Sequence, residues 1–347
     1  MKKIIIIISL FTMSFSFSQG SKKQYFIRTI AFYNLENLFD TINDVTKNDE
    51  ASPIMQLKTN RSNVYLEKVD KMASVIAQIG KEKANTSPAL IGVCEIENLR
   101  VLEDLVNSRH LEKMNYGIIH YDSPDKRGID VALLYQKRYF KPVFHASFNP
   151  NIYKNNRKVY TRDQLLVSGY LDDELIHVIV NHWPSKRGGT SSIPLREKAA
   201  YQNTKIIVQI REKDPNAKLF IMGDFNDDPI ASSFKKVLKT KAKKAKLKAK
   251  DIYNPYELFY KRGLNSGAYR DNISLFDQIL ISSSLVAKGE KDFSTYKMYQ
   301  AHIFNKQFLK KKSGPYKGYP SRSFLNGAFT GGYSDHFPVY MYVIKEK

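Results

Sequence analysis

The chain has 347 residues, a formal net charge of +21 and one cysteine, Cys94. A lone thiol excludes an intramolecular disulfide, so stability has to come from a buried core, which a chain of this length can supply. The charge excess points to a polyanionic partner (nucleic acid, phosphorylated metabolite, lipid head group or acidic polysaccharide) without choosing among them.

The chain opens "MKKIIIIISLFTMSFSFSQG". Two lysines, an apolar core from Ile4 to Phe11 and small residues Ser16 and Ser18 read as a secretory signal peptide over 1–19. The apolar core falls short of the roughly 20 residues that a membrane-spanning helix needs. An exported protein, periplasmic or extracellular, is expected, with no integral membrane segment after signal cleavage. No cysteine follows the apolar core to carry a lipid anchor.

The run "YFIRTIAFYN" predicts a first strand. "NVYLEKVDKMASVIAQIGK" then places Val69, Met72, Val75, Ile76 and Ile79 at helical spacing. "ALIGVC" follows as a buried strand and "LRVLEDLVNS" as a helix. Cys94 in that strand reads as a buried, inert thiol. Further strands are expected over "YGIIHY", "IDVALLY", "LLVSGYL", "LIHVIVNHW", "KLFIMGD", "LFDQILI" and "FPVYMYVI". Between them "IPLREKAAYQNTKIIVQIREK" predicts a long amphipathic helix that buries Ala199, Ile206, Ile207 and Ile210. Strands interleaved with few helices imply a layered α/β fold.

Residues 235–250 hold nine lysines in sixteen positions. This Lys-rich insert or loop reads either as solvated surface or as an electrostatic arm that holds a polyanion near the active site.

"IMGDFNDDP", Ile221 to Pro229, begins like a calcium loop. Such a loop needs Gly at its sixth position and Glu at its twelfth, where this chain has Pro229 and Lys235. A catalytic role or a polar turn remains. The polar residues beside apolar strands form an ordered set: Asn34, Glu95, His182, Asp224 with Asn226, Asp277, and Asp335 with His336. Groups at the ends of rigid strands are held still, as metal binding and transition-state stabilisation require.

The motifs "FYNLEN", "IGVCEIEN", "VNHWPS", "MGDFND", "FDQILIS" and "YSDHFPVY" follow one another as they do in the endonuclease/exonuclease/phosphatase superfamily, which the chain resembles from about Ile27 to Ile344. The form "CEIEN", with "SPDKRGIDVALLY" and "NHWPSKRGG", resembles a branch of secreted bacterial members. The resemblance implies a four-layer sandwich, two mixed β-sheets packed face to face with helices on the outer faces. It also implies one domain over 20–347, because a single site draws on both ends of the chain.

The resemblance makes Glu95 the main carboxylate ligand of Mg2+, with Asn34 and Asp335 as direct or water-mediated partners and Mn2+ as a substitute. Glu97 competes with Glu95, since both would share a face if the strand continued. Asp224 would orient or deprotonate the attacking water and Asn226 would contact the scissile phosphate. Asp277 would fix the ring of His336 in a charged form, and His182 would contact a non-bridging oxygen or assist the leaving group. The other five histidines carry no motif.

Arg127, in a cluster with Asp122, Asp125 and Asp130, is either part of a salt-bridged loop or a phosphate contact. Arg162 is a second phosphate contact, Lys186 and Arg187 could close over a substrate, and Trp183 packs behind His182. Inositol polyphosphate phosphatases carry a Trp-Cys-Asp-Arg pattern where this chain has "LFDQIL", and abasic-site enzymes work inside cells. The expected function is therefore a secreted nuclease acting on DNA or RNA. A phosphatase or sphingomyelinase-like lipid phosphodiesterase is the alternative within the superfamily, and a non-catalytic polyanion-binding protein the alternative outside it. The oligomeric state stays open.

Overall fold

A computed structural model describes residues 23–269, 272–289 and 292–347, so the signal peptide expected over 1–19 lies outside the described residues. In chain order the main elements are β1 (Tyr25–Leu38), α1 (Arg61–Ile76), β2 (Leu90–Ile96), α2 (Leu99–Val106), β3 (Tyr116–His120), β4 (Asp130–Gln136), β5 (Phe140–Phe148), β6 (Gln164–Leu171) and β7 (Glu174–His182). They continue with α3 (Ile193–Lys213), β8 (Leu219–Asp224), β9 (Ile252–Tyr253), α4 (Tyr256–Lys261), β10 (Asp277–Ser282), β11 (Lys297–Ile303) and β12 (Val339–Glu346).

The strands form two six-stranded mixed sheets, in the orders β11-β12-β1-β2-β4-β3 and β9-β10-β8-β7-β6-β5. β1 pairs antiparallel with β12, Tyr25 opposite Glu346, so the two ends of the described chain share a sheet.

Three apolar clusters separate four layers. Ile30, Leu90, Val178, Phe220 and Ile279 belong to a cluster between the sheets. α1 and α2 cover the first sheet through Val69, Met72, Ile76, Val101 and Leu105. α3 covers the second through Ala199, Ile206, Ile207 and Ile210. This is the four-layer sandwich expected. The helix faces follow directly from apolar residues recurring every three to four positions. α3 opens with a proline in its first turn, where a missing N–H costs nothing, and ends with Arg211 and Lys213 against the negative end of its dipole. Asn98 caps α2 by accepting from Val101 N–H.

Three of these strands escaped the sequence reading, β5, β9 and β11. Each lies at the edge of its sheet, pairing only with β6, β10 or β12; β9 has two residues, and neither β5 nor β11 is a buried apolar run. Edge strands lack the two buried faces that make a central strand legible.

From Lys241 onward the lysine run is packed on the sandwich away from the strand ends that gather the polar set, while its first lysines follow Phe234, which stacks on Trp183. Lys241 N–H donates to Ile252 O, and Leu247 packs against the inter-sheet cluster. β9 then pairs Ile252 with Ser282, at the opposite end of β10 from Asp277.

The sheets approach closely at Gly92 in β2, where an added Cβ would lie 2.6 Å from Met222 Sδ and 3.1 Å from Val180 Cγ1. Gly92→Val is therefore expected to overpack the sandwich and cost about 1–3 kcal/mol. It should lower the urea midpoint at unchanged slope, whereas an unmoved midpoint would contradict this packing.

Candidate active site

The polar set is assembled where the two sheets end side by side. In the second sheet three adjacent strands place their residues in register: Asp224 on β8 is opposite His182 on β7 and Asp277 on β10. In the first, Asn34 on β1 is paired with Cys94 on β2, directly before Glu95. β12 starts just after Asp335 and His336.

Glu95 reaches this point because β2 breaks its alternation there. Its φ is +57°, and the register of β2 shifts between Cys94 and Ile96. Cys94 faces the inter-sheet cluster, while Ile96 faces the helices of the first layer. Regular pleating would put both on one side, so the bulge at Glu95 swaps the faces and re-aims its carboxylate. Holding a glutamate in left-handed backbone costs about 1–3 kcal/mol, a strain typical of functional positions. Asn226, at φ +50°, carries the same strain beside Asp224.

Hydrogen bonds then fix the carboxylates. Glu95 Oε2 accepts from Asn37 N–H at 3.1 Å. The Asn34 amide nitrogen donates both to Glu95 Oε1, at 3.2 Å, and to Asp224 Oδ2, at 3.1 Å. Its oxygen accepts from Glu36 N–H, so Asn34, expected as a direct or water-mediated partner of the metal, here ties the two carboxylates together as a donor. Asp224 Oδ1 accepts from Asn226 N–H, and the Asn226 side-chain amide donates to Trp183 O. Asn226 thus shapes the turn in this structure and does not present its amide to the site. Trp183 packs against Phe225 and Phe234, supporting the strand end behind His182 as expected.

The two histidines are driven apart. Burial, reinforced by Arg162, Arg127 and His336, pushes His182 well below its ordinary pKa and leaves it neutral. Its Nε2 lies 3.8 Å from Glu95 Oε1 and 3.7 Å from Asp224 Oδ2. Burial disfavours a charged ring at His336 as well. There the carboxylates of Asp277, Asp224 and Asp335 outweigh it and raise the pKa well above the ordinary value. His336 Nδ1 is 2.6 Å from Asp277 Oδ2, which leaves Nε2 facing Asp224 at 4.0 Å. Asp224 itself is pushed up to about 7, by burial first and by Asp277 and Glu95. A pair of groups held in opposite protonation states around a near-neutral carboxyl is a workable acid–base arrangement.

Asp335 is drawn partly away from the expected metal trio. Arg322 donates to its Oδ2, while Oδ1 lies 3.9 Å from His336 Nε2. It borders a polar cluster that the sequence reading missed: Glu36 accepts from Ser323 N–H and Oγ, and the buried ammonium of Lys68 donates to Glu36 O and Ser323 Oγ. Burial, with Asp335 nearby, raises Glu36 to about 7. The readable signal was Lys68 itself, a lysine on the buried face of α1.

Arg162 is corrected. Its guanidinium is buried, donating to Asp125 Oδ2 and to Trp183 O, so it braces the loop before β4 against the end of β7. Arg127 grips Asp125 through Nε and Nη2, yet half its side chain is exposed and its charge is felt at Glu95. The salt-bridged loop is therefore present, and the exposed half of the side chain stays free of further ion pairs among the described residues. Asp130 binds His120 and Ser123 N–H, and Asp122 is exposed, so neither joins Asp125. Lys186 pairs with Asp228 at 3.0 Å over the ring of Phe276, and Arg187 is exposed on the same turn. Asp227 serves the buried Arg196.

Glu97 does not compete with Glu95. Beyond the bulge its Oε2 accepts from Asp40 N–H at 2.7 Å, among other acidic groups.

The donor set suits a divalent cation. Glu95 offers a partly exposed carboxylate, and among the described residues Asp224, Asp277 and His336 form one group whose ligand atoms lie within 4.8 Å of one another. Hard oxygens surrounded by further carboxylates, with Asp224 pushed up toward neutrality, leave an excess of negative charge that a cation relieves. Cys94 adjoins His182 and Asp224, but burial raises its thiol well above the ordinary value, so it is a poor ligand.

A profile described as Endonuclease/Exonuclease/phosphatase family matches residues 29–345. No curated protein sequence matches the chain. Among solved structures, an endonuclease/exonuclease/phosphatase family protein from Bacteroides thetaiotaomicron is 15% identical with a TM-score of 0.52, covering 93% of this chain and 97% of that one. The human Nocturnin catalytic domain with bound sulfate is 13% identical at 0.52, covering 94% and 98%. D. rerio TDP2 complexed with a single-strand DNA product is 13% identical at 0.50, covering 91% and 98%.

Burial, aided by Asp40, Asp49 and Asp44, pushes Glu97 up to about 8. The folded state then keeps a proton that the unfolded chain has already released, so stability is full below the ordinary glutamate range and is lost as pH rises toward 8. Glu97→Gln removes this titration. In chelator its melting temperature should gain on wild type between about pH 5 and 8 and keep a constant offset below that window. A gap independent of pH would contradict this environment for Glu97.

Proposed function

The chain belongs to the endonuclease/exonuclease/phosphatase family, whose members hydrolyse phosphoester bonds, and on that premise we propose a divalent-metal-dependent phosphodiesterase, specifically an exported nuclease acting on DNA or RNA. The observation that carries the reading is Asp224, a buried carboxyl near neutrality set between a charged His336 and a neutral His182. The nuclease assignment is supported by the basic charge, by the signal peptide expected over 1–19 and by the likeness to a TDP2 structure that holds a DNA product. A single catalytic domain over 20–347 belongs to this reading, supported by a site drawn from both β1 and the segment just before β12.

In this reading Asp224 orients the attacking water and takes its proton. Asp277 holds His336 through Nδ1, so that the Nε2 proton faces the negative charge that builds on the phosphate oxygens. Neutral His182 donates from Nε2 to a non-bridging or leaving oxygen. Arg127, half exposed on its Asp125 anchor, supplies a phosphate contact that the buried Arg162 cannot. Glu95 would hold the cation, with Asn34 keeping its carboxylate and that of Asp224 in place. When bound, Mg2+, or Mn2+ in its stead, supplies charge neutralisation at the phosphate.

The purified mature chain is expected to nick plasmid DNA with Mg2+ or Mn2+ and to stop on chelation. Inactivity on DNA and RNA, with turnover of a phosphomonoester or sphingomyelin, would replace the nuclease by a phosphatase or lipid phosphodiesterase. Asp224→Ala and His336→Ala should each lower kcat by about 10²–10⁴ while circular dichroism stays unchanged. Full activity in either variant would remove that residue from the mechanism.

A further inference from the structure

The lysine run has no part in the site just described, and its charge is still unaccounted for. From Lys241 onward it packs at the far end of the second sheet. From Leu219 to Asp224 β8 covers about 17 Å at roughly 3.3 Å per residue, and this part of the run lies toward the Leu219 end. There Lys244, Lys248 and Lys250 line a groove of about 480 Å3 together with Arg211 from the end of α3 and Lys288 after β10. Among the described residues no carboxylate lines it. None of these five cations forms an ion pair among the described residues, and the buried Nε of Arg211 has no hydrogen-bond partner. Elsewhere in the same run Lys235 is neutralised by Glu257, so the loop can pair its lysines and leaves these open.

Cations gathered round a concave space repel one another, and a bound anion converts that repulsion into attraction. Burial already lowers the pKa of Arg211 and of Lys244. The groove does not stop at one anion. Lys239, Lys241, Lys243 and Lys246 line two adjoining depressions, one of which also holds Asp251, so a surface in which lysines outnumber the carboxylate continues as a track. A track fits a chain of regularly spaced phosphates better than a single phosphate ion. Its loop is pinned by Leu247 on the inter-sheet cluster and by Ser283 N–H on Asp251 O, so the lysines are presented from an ordered surface.

We propose that this groove is a second anion site that binds the phosphate backbone of a nucleic-acid strand, remote from the candidate active site. The choice of nucleic acid over other polyanions rests on the nuclease reading; the groove and its charge do not. Among the described residues no aromatic side chain lines the groove, so binding depends on phosphate contacts and is indifferent to base sequence. A strand held here raises the local concentration of long substrates without touching the chemistry.

The test measures binding of a long fluorescent single-stranded DNA in chelator, so that no turnover intervenes, across a series of salt concentrations. Lys244→Gln/Lys248→Gln/Lys250→Gln is compared with a charge-matched control, Lys58→Gln/Lys81→Gln/Lys113→Gln, whose lysines are exposed on other surfaces. The groove variant should bind at least about tenfold more weakly, and its salt slope should fall by about 0.7 for each phosphate that the groove no longer neutralises. The control should stay near wild type. Equal affinities and slopes in the two variants would overturn the proposal. So would a groove variant that keeps its DNA slope but loses binding to phosphatidylserine vesicles, since the surface would then serve a membrane. Failure of the nuclease reading appears separately, as absent cleavage with metal, and leaves this binding readout intact.

Discussion

Glu95, Asp224 and Asp277 are carried to one meeting point of two sheet ends, and their mutual repulsion is the constraint to which the surrounding structure responds. Asn34 donates to two of these carboxylates at once. Asp277 spends its charge on His336, and Asp335 is shared with Arg322. What compensation remains incomplete shows in Asp224, whose carboxyl is held near neutrality. A site with this imbalance is prepared both for a cation and for a substrate whose charge is managed by that cation.

The same constraint explains where the backbone is strained. Glu36, Asn37, Glu95 and Asn226 all adopt left-handed φ without being glycine. Each belongs to a segment that has to turn a polar group back toward the sheet ends: Asn37 N–H meets Glu95, and Asn226 N–H meets Asp224. The rigid sandwich behind them supplies the packing that keeps such conformations populated. Arg162, braced between Asp125 and the Trp183 carbonyl, extends this support to the loop that carries Arg127.

Much of the fold was legible because its central strands are apolar on both faces and α1 and α3 repeat their apolar residues at helical spacing. β5, β9 and β11 were not, since an edge strand shares its pattern with loops. Strand-end residues His182, Asp224, Asp277 and His336 could be read from their motifs and do converge. The bulge at Glu95 could not be read, because it depends on the register with β4; without it Glu97 looked equivalent to Glu95. Arg162 was misplaced for a related reason: sequence shows a cation before a strand but not that Asp125 and a carbonyl enclose it. The Glu36–Lys68–Ser323 cluster joins positions far apart in the chain, and only the lysine on the apolar face of α1 hinted at it.

The central claim is that the carboxylates at the sheet ends bind a divalent cation through Glu95. Titration of Mn2+ followed by electron paramagnetic resonance tests it directly, independent of substrate. Wild type should quench the free Mn2+ signal with one saturable site, and Glu95→Gln should lose that site while Glu97→Gln keeps it. Equal Mn2+ binding by wild type and Glu95→Gln would contradict the account.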